Sequence, residues 1–157
     1  GPGRTSMLAA LSLGNKFSVV TMWQKWKHLY MKTLTELGVE NALASVRAID
    51  VTPDNQALLS GKEEEIFPLL ESAALQAIEK DGAEIIILGS TTMHQSHSYL
   101  SARLNVPIIN PGPLTYKTIE LLLDTELTHS RKTYPISQVS RDQMIKTMLD
   151  AAARHDH

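Results

Sequence analysis

The residues best placed for chemistry are Gly89, Ser90, Thr91 and Thr92, which end the apolar run "AEIIIL" and precede a polar, helix-like stretch. A glycine at such a junction admits close backbone approach, and hydroxyl residues at a helix start stand beside backbone N–H groups that lack intrahelical acceptors. This combination stabilises a carboxylate or an enolate-like oxygen at the positive end of the helix. Ser and Thr are equally ordinary helix caps, so spacing alone leaves anion binding and capping both open. His94 and His97, three apart, could share a helix face and hold a metal, but a solvated face explains them as well and no third ligand stands at a useful spacing. The chain has neither a Walker pattern nor Gly-x-Gly-x-x-Gly. Its cysteine count is zero, which removes disulfides, thiolate metal sites and cysteine nucleophiles.

The elements that must position this turn alternate between strand and helix. "KFSVVTM" (Lys16 to Met22) is a β-branched run after the Gly14-Asn15 breaker. It leads into Trp23, Trp26, Tyr30, Leu34 and Leu37 at helical spacing, closed by Gly38. "ASVRAIDV" (Ala44 to Val51) reads as the next strand, followed by turn residues. A helix is expected from about Ser60, with Ser60 and Glu63 as a capping box and Ile66, Leu70, Ala74 and Ile78 on its apolar face. Pro68 marks either a kink in that helix or its true start. "AEIIILG" is a buried strand, a helix runs from roughly Thr92 to Leu104, and "VPIIN" (Val106 to Asn110) is a fourth strand. "PGP" then opens a helix through Thr115, Ile119 and Leu122. A polar stretch follows, and then a terminal helix with Ser140 at its N-cap and Met144, Ile145, Met148 and Leu149 on one stripe.

This order predicts an α/β fold: a doubly wound, mostly four-stranded parallel sheet with helices on both faces. We divide it into a lead-in helix over 1–15, an α/β domain over 16–127, and a polar loop with an amphipathic helix over 128–157. Ligands in such sheets sit outside the carboxyl ends of the strands. Those ends are Thr21-Met22, Asp50-Thr52, Gly89-Ser90-Thr91-Thr92 and Asn110-Pro111-Gly112, all polar or glycine-containing. Trp23 and Trp26 could stack a ligand there, or serve as core or interface. His129, in "THSRKTYP", could reach a site mouth or cap the preceding helix.

Bulk properties narrow the partners. The 157 residues, 43% hydrophobic and 20% charged, suffice for one domain with a substantial core. A net charge of -2, with basic residues spread along the chain, offers no footprint for nucleic acid or an anionic membrane. No apolar run approaches the roughly 18 residues of a membrane span, and the N-terminus lacks a signal-peptide layout. A cytoplasmic protein acting on a small molecule is expected.

Taken together and in order, "GPGRTSMLAALSLGNKFSVVT", "ASVRAID", "DGAEIIILGSTTM", "VPIINPGP" and "LTHSRKTYP" resemble the aspartate/glutamate/hydantoin racemase family, most closely its hydantoin racemase-like branch. The resemblance covers Gly1 to about Pro135. It implies the second of two similar α/β domains that face each other across a cleft. It also implies proton transfer at carbon without cofactor or metal: one cysteine removes a proton from the stereocentre and another returns one from the opposite face.

Two departures follow from the same resemblance. The second-cysteine position falls on Ser90, in "LGSTT", and the chain begins where the family's first half has nearly ended, so the segment with the first cysteine is absent. Carried over residue by residue, Ser90 takes the acid/base position and Thr91 with Thr92 hold the substrate's polar end. Thr21, Gly89, Asn110 and Gly112 line the same edge. A serine hydroxyl is far less acidic than a thiol, whose pKa is about 8.5, and needs a partner to lose its proton. The competing expectation is a non-catalytic α/β domain that binds a small anion or dimerises, and a homo-oligomer is expected in either case.

Overall fold

The computed structural model describes residues 1–52 and 62–153. They form helix α1 (Pro2–Ala10), strand β1 (Phe17–Thr21), helix α2 (Lys27–Leu37), strand β2 (Leu43–Ala48), helix α3 (Phe67–Asp81), strand β3 (Ile85–Leu88), helix α4 (Ser96–Ser101), strand β4 (Ile108–Ile109), helix α5 (Pro111–Asp124) and helix α6 (Asp142–Ala153). The strands make one parallel sheet in the order β2-β1-β3-β4. The doubly wound α/β fold expected from the sequence is therefore the fold observed. After β2 the chain crosses back to place β3 on the other side of β1, so the topology switches between β1 and β3.

The two central strands are buried along their whole length, which explains why their sequences run apolar without alternating. Side-chain alternation still divides the core. Phe17 and Val19 of β1 join Ile85 and Ile87 of β3 on one face, packed against Met7 and Ala10 of α1, Leu34 of α2 and Leu114 of α5. Val20, Ile86 and Leu88 point to the other face, where Leu70, Ala74 and Ala77 of α3 and Leu100 of α4 cover them. Helices on both faces are thus anchored by successive residues of the same strands. The edge strand β2 is half-buried, and its Ser45 hydroxyl meets that of the buried Ser18 across the ladder at 2.8 Å.

Local signals account for most boundaries. Gly38 ends α2 in the left-handed region at φ 67°, where its N–H bonds the Leu34 and Thr35 carbonyls. Helix α3 starts at Phe67 with Pro68 in its first turn, preceded by a 3₁₀ segment over Lys62–Ile66. Pro68 is therefore a start and not a kink, because its missing N–H needs no intrahelical acceptor there. Ser60 lies outside the described residues, and the Ser60–Glu63 capping box with it. The helix expected from Thr92 to Leu104 is shorter than its pattern suggests. A 3₁₀ turn over Thr91–Met93 comes first, α4 spans Ser96–Ser101, and Ser96 Oγ donates to the Met93 carbonyl at the junction. Before α6, Ser140 Oγ accepts from the Asp142 N–H at 3.2 Å, the capping role expected of it.

Residues Gly1–Leu121 form one compact unit and Leu122–His157 a second. In the second unit, the rings of His129 and Tyr134 meet edge to face at 5.1 Å. Among the described residues no helix is long and apolar enough to cross a membrane.

Candidate functional site

The switch between β1 and β3 brings Thr21 and Gly89 side by side at the carboxyl edge of the sheet. The Gly89 N–H closes the ladder onto the Val20 carbonyl at 2.8 Å. Tyr30, one face of α2, reaches over this junction. Its hydroxyl donates to the Gly89 carbonyl at 2.7 Å and lies 2.8 Å from Thr21 Oγ1. The tyrosine has one hydroxyl proton, and it goes to Gly89, so Thr21 is the donor in the second bond. Burial raises the Tyr30 pKa, and the hydrogen bond with Thr21 opposes part of that rise.

Glycine at position 89 is a steric requirement. A Cβ there would stand 2.6 Å from Tyr30 Oη and 2.7 Å from Thr21 Cβ, well inside contact distance. With the carbonyl of Gly89 tied to Tyr30, the chain leaves the sheet at a fixed angle and presents Ser90. Ser90 has extended backbone (φ -144°) and caps the following 3₁₀ turn: its Oγ accepts from the Thr92 N–H at 3.2 Å and shares a hydrogen bond with Thr92 Oγ1 at 2.8 Å.

A cleft of about 50 Å³ opens beside this turn. Gly89, Ser90 and Thr91 form one wall, and Pro2, Gly3 and Ser6 from the start of α1 form another. Ser6 is 0% exposed, and its Oγ is buried without a hydrogen-bond partner. Asn110 Oδ1, beyond β4, is the other buried side-chain oxygen without a partner among the described residues, while its amide group donates to the His94 carbonyl at 3.4 Å. Two orphaned acceptors at one sheet edge are unusual for a settled core, in which buried polar atoms are paired.

The residues nominated from the sequence therefore occupy one neighbourhood, with different exposures. Gly89, Ser90 and Thr91 line the cleft. Thr92 is exposed and bonded to Ser90, whereas Thr21 is fully buried beneath the cleft with its hydroxyl committed to Tyr30. A Cβ at Gly112 would lie 3.9 Å from Asn110 Oδ1 and 4.0 Å from Thr91 Cγ2, which places Gly112 between β4's end and the Ser90 turn. Asp50, at the end of β2, turns the chain with φ 59° and is exposed at the same edge. Trp26 packs on the core and Trp23 meets it edge to face at 6.2 Å. His97 donates from Nε2 to the Ile108 carbonyl at 3.1 Å, and His94 is exposed. No group of three or more His, Cys, Asp or Glu side chains suited to a metal occurs among the described residues.

Sequence reasoning missed Tyr30 and Ser6. Tyr30 was counted as one member of an apolar stripe, although its hydroxyl on a buried face was a signal that it needs a polar partner. Ser6 precedes Met7 and lies four residues before Ala10 on the buried side of α1, so a hydroxyl there also called for a partner.

Comparison with known proteins gives the family and the fold. The family described as Asp/Glu/Hydantoin racemase matches residues 1–119. A hydantoin racemase of Paenarthrobacter aurescens is 33% identical over 110 residues, 68% of this chain and 44% of that protein. An allantoin racemase of Pseudomonas fluorescens superposes with a TM-score of 0.76 at 25% identity, over 88% of this chain and 58% of that one. An allantoin racemase from Klebsiella pneumoniae gives 0.75 at 25% identity, over 83% and 52% respectively. The chain spans about half the length of the relatives it matches.

Proposed function

The chain belongs to the Asp/Glu/hydantoin racemase family, and from that premise we propose that its β1/β3 edge is one wall of a cofactor-independent racemase-type site for a small hydantoin- or amino-acid-like substrate. Ser90 stands at the acid/base position, and the Thr91-Thr92 turn holds the substrate's polar end. The observation that carries this reading is the cleft at the topological switch, walled by Gly89-Ser90-Thr91 and by the first turn of α1. In the proposed reaction a base on the face opposite Ser90 takes the proton from the stereocentre, the C–H electron pair is delocalised onto the adjacent carbonyl oxygen, and Ser90 Oγ–H is the acid that supplies the returning proton. A proton then returns to the same carbon from the opposite face. Donors facing the cleft stabilise the charge on that oxygen. Thr92 N–H, directed at Ser90 Oγ, stabilises negative charge developing on the serine oxygen in the same way.

A homo-oligomer is part of this reading, and α6 has the apolar face that fits it. Met148 and Leu149 of α6 are 64% and 66% exposed, and they offer a second copy an apolar face to cover.

A second reading has its own support. Ser90 Oγ is already engaged as a cap with Thr92, and no His or Lys side chain hydrogen-bonds it among the described residues. On that basis the cleft binds a small anion without turning it over.

Solvent deuterium wash-in at the stereocentre separates the two. The panel is 5-substituted hydantoins, allantoin, aspartate and glutamate, read by proton NMR with spontaneous exchange subtracted. Racemase-type function predicts exchange above background that disappears in Ser90→Ala and rises in Ser90→Cys, where a thiol of pKa about 8.5 replaces a hydroxyl. Binding without exchange in all three proteins selects the second reading.

A further inference from the structure

We propose that Thr21 and Tyr30 are a positioning pair for residue 90: a one-way chain of hydrogen bonds, from Thr21 through Tyr30 to the Gly89 carbonyl, sets the direction and the acidity of the side chain at the acid/base position. This deepens the reading of Ser90 and rests on it. It gives Thr21 a place behind the site instead of one in contact with a substrate.

The residue before Ser90 is held at three points. The Gly89 N–H bonds the Val20 carbonyl at 2.8 Å. Its carbonyl accepts from Tyr30 Oη at 2.7 Å. Its α-carbon lies so close to the pair that a Cβ would stand 2.6 Å from Tyr30 Oη and 2.7 Å from Thr21 Cβ. The peptide unit is planar, so a carbonyl tied at one end fixes the N–H of residue 90 at the other. Ser90 then continues in extended backbone at φ -144° and ψ 148°, with its Oγ where the Thr92 N–H reaches it at 3.2 Å.

The pair is polar where packing alone asks for nothing polar. Tyr30 packs on the apolar cluster of Phe17, Val19, Leu34 and Ile87, and Thr21 is 0% exposed. Phenylalanine and valine have nearly the same shapes and bury no hydroxyl, which is costly to desolvate. What the two hydroxyls add is direction. Thr21 gives its proton to Tyr30, Tyr30 gives its own to Gly89, and each bond in such a chain strengthens the next. The polarised Gly89 carbonyl makes the N–H of residue 90 more positive, and together with the Thr92 N–H this favours a deprotonated side chain there. Burial raises the Tyr30 pKa, so the phenol remains a donor through the neutral range. Of the charged groups on neighbouring elements, Lys32 pairs with Glu36 and His28 bonds the Lys25 carbonyl. Among the described residues Arg4, Lys27 and His94 make no hydrogen bond or ion pair with Thr21, Tyr30 or Ser90.

The chain has no cysteine, so Ser90→Cys installs a single thiol that serves as a probe without any substrate. Alkylation of the full chain by iodoacetamide, followed from about pH 5 to about pH 10, reports the thiol pKa. Adding Tyr30→Phe or Thr21→Val to Ser90→Cys should make the thiol about fivefold less acidic, the worth of roughly one hydrogen bond. Thr21→Ser, which keeps the hydroxyl, should restore it to within about twofold. Placing 3-fluorotyrosine at position 30, a stronger donor of nearly the same shape, should make the thiol more acidic than tyrosine does. A role confined to filling space predicts one thiol pKa throughout. An unchanged pKa in folded Tyr30→Phe or Thr21→Val, a Thr21→Ser thiol that matches Thr21→Val, or an unchanged or less acidic thiol beside 3-fluorotyrosine overturns the proposal. The fluorotyrosine protein decides alone if the other variants do not fold. A thiol tuned in this way in a chain that exchanges no deuterium would leave the positioning pair standing and the catalytic reading fallen. Exchange that is lost in Ser90→Ala, with a thiol indifferent to residues 21 and 30, would do the reverse.

Discussion

At the scale of single residues, the site hangs on Tyr30. Its hydroxyl fixes the Gly89 carbonyl and receives the Thr21 proton, so Tyr30→Phe leaves a carbonyl and a hydroxyl unpaired in buried surroundings. The expected loss is about 1–3 kcal/mol of unfolding free energy in urea. Tyr30 also predicts an alkaline signature. Burial raises its folded pKa, so the unfolded chain ionises first, at about 10. The stability it contributes is fully present below that pH and is lost as pH rises through the folded value; Tyr30→Phe should flatten this slope. Gly89→Ala tests the same contact sterically: its methyl must displace Tyr30 Oη and Thr21 Cβ, and a loss of about 1–3 kcal/mol is expected. Much of this neighbourhood is legible in sequence, because "LGSTT" ends an apolar strand and so must stand at a sheet edge. The partners of its backbone are not legible. Tyr30 lies 59 residues before Gly89, and helical spacing alone cannot reveal that its hydroxyl bonds across that distance.

At the scale of elements, β2 and α3 are held together by Arg47 and Asp81. The guanidinium grips the carboxylate through Nε at 2.6 Å and Nη2 at 2.8 Å, and a third bond reaches Gln76 Oε1 at 2.8 Å. The carboxylate is lowered in pKa chiefly by the hydrogen bond from Arg47, with a further contribution from Ser45. A depressed carboxylate contributes stability that is fully present above its unfolded pKa of about 3.9 and is lost as pH falls through the folded value. Asp81→Asn should therefore flatten the acid side of a stability–pH curve and remove about 1 kcal/mol at neutral pH. Leu70, fully buried on the sheet-facing side of α3, sets a larger scale: Leu70→Ala should lose about 2–5 kcal/mol through transfer and cavity terms. Strands and their parallel order follow from apolar runs separated by helical patterns, and four of four appear where expected. Element ends are less legible. Thr92 to Leu104 has helical spacing throughout, but the Ser90 cap favours a 3₁₀ turn first and leaves α4 the shorter span.

At the scale of the whole molecule, the family's fold is present in a chain that spans about half the length of the relatives it matches, with serine where the resemblance expects a thiol. Self-association through the exposed face of α6 has a direct check. Sedimentation equilibrium should give a mass that rises with concentration, and Met148→Glu with Leu149→Glu should return it toward the monomer. The measurement that bears most directly on the central claim is amide chemical-shift mapping of the full chain with the hydantoin and amino-acid panel. If the cleft at the β1/β3 switch is the ligand site, saturable shifts will concentrate at Gly89 to Met93 and at Gly3 to Ser6. Shifts that avoid both segments, or that concentrate in residues 122–153, would contradict it.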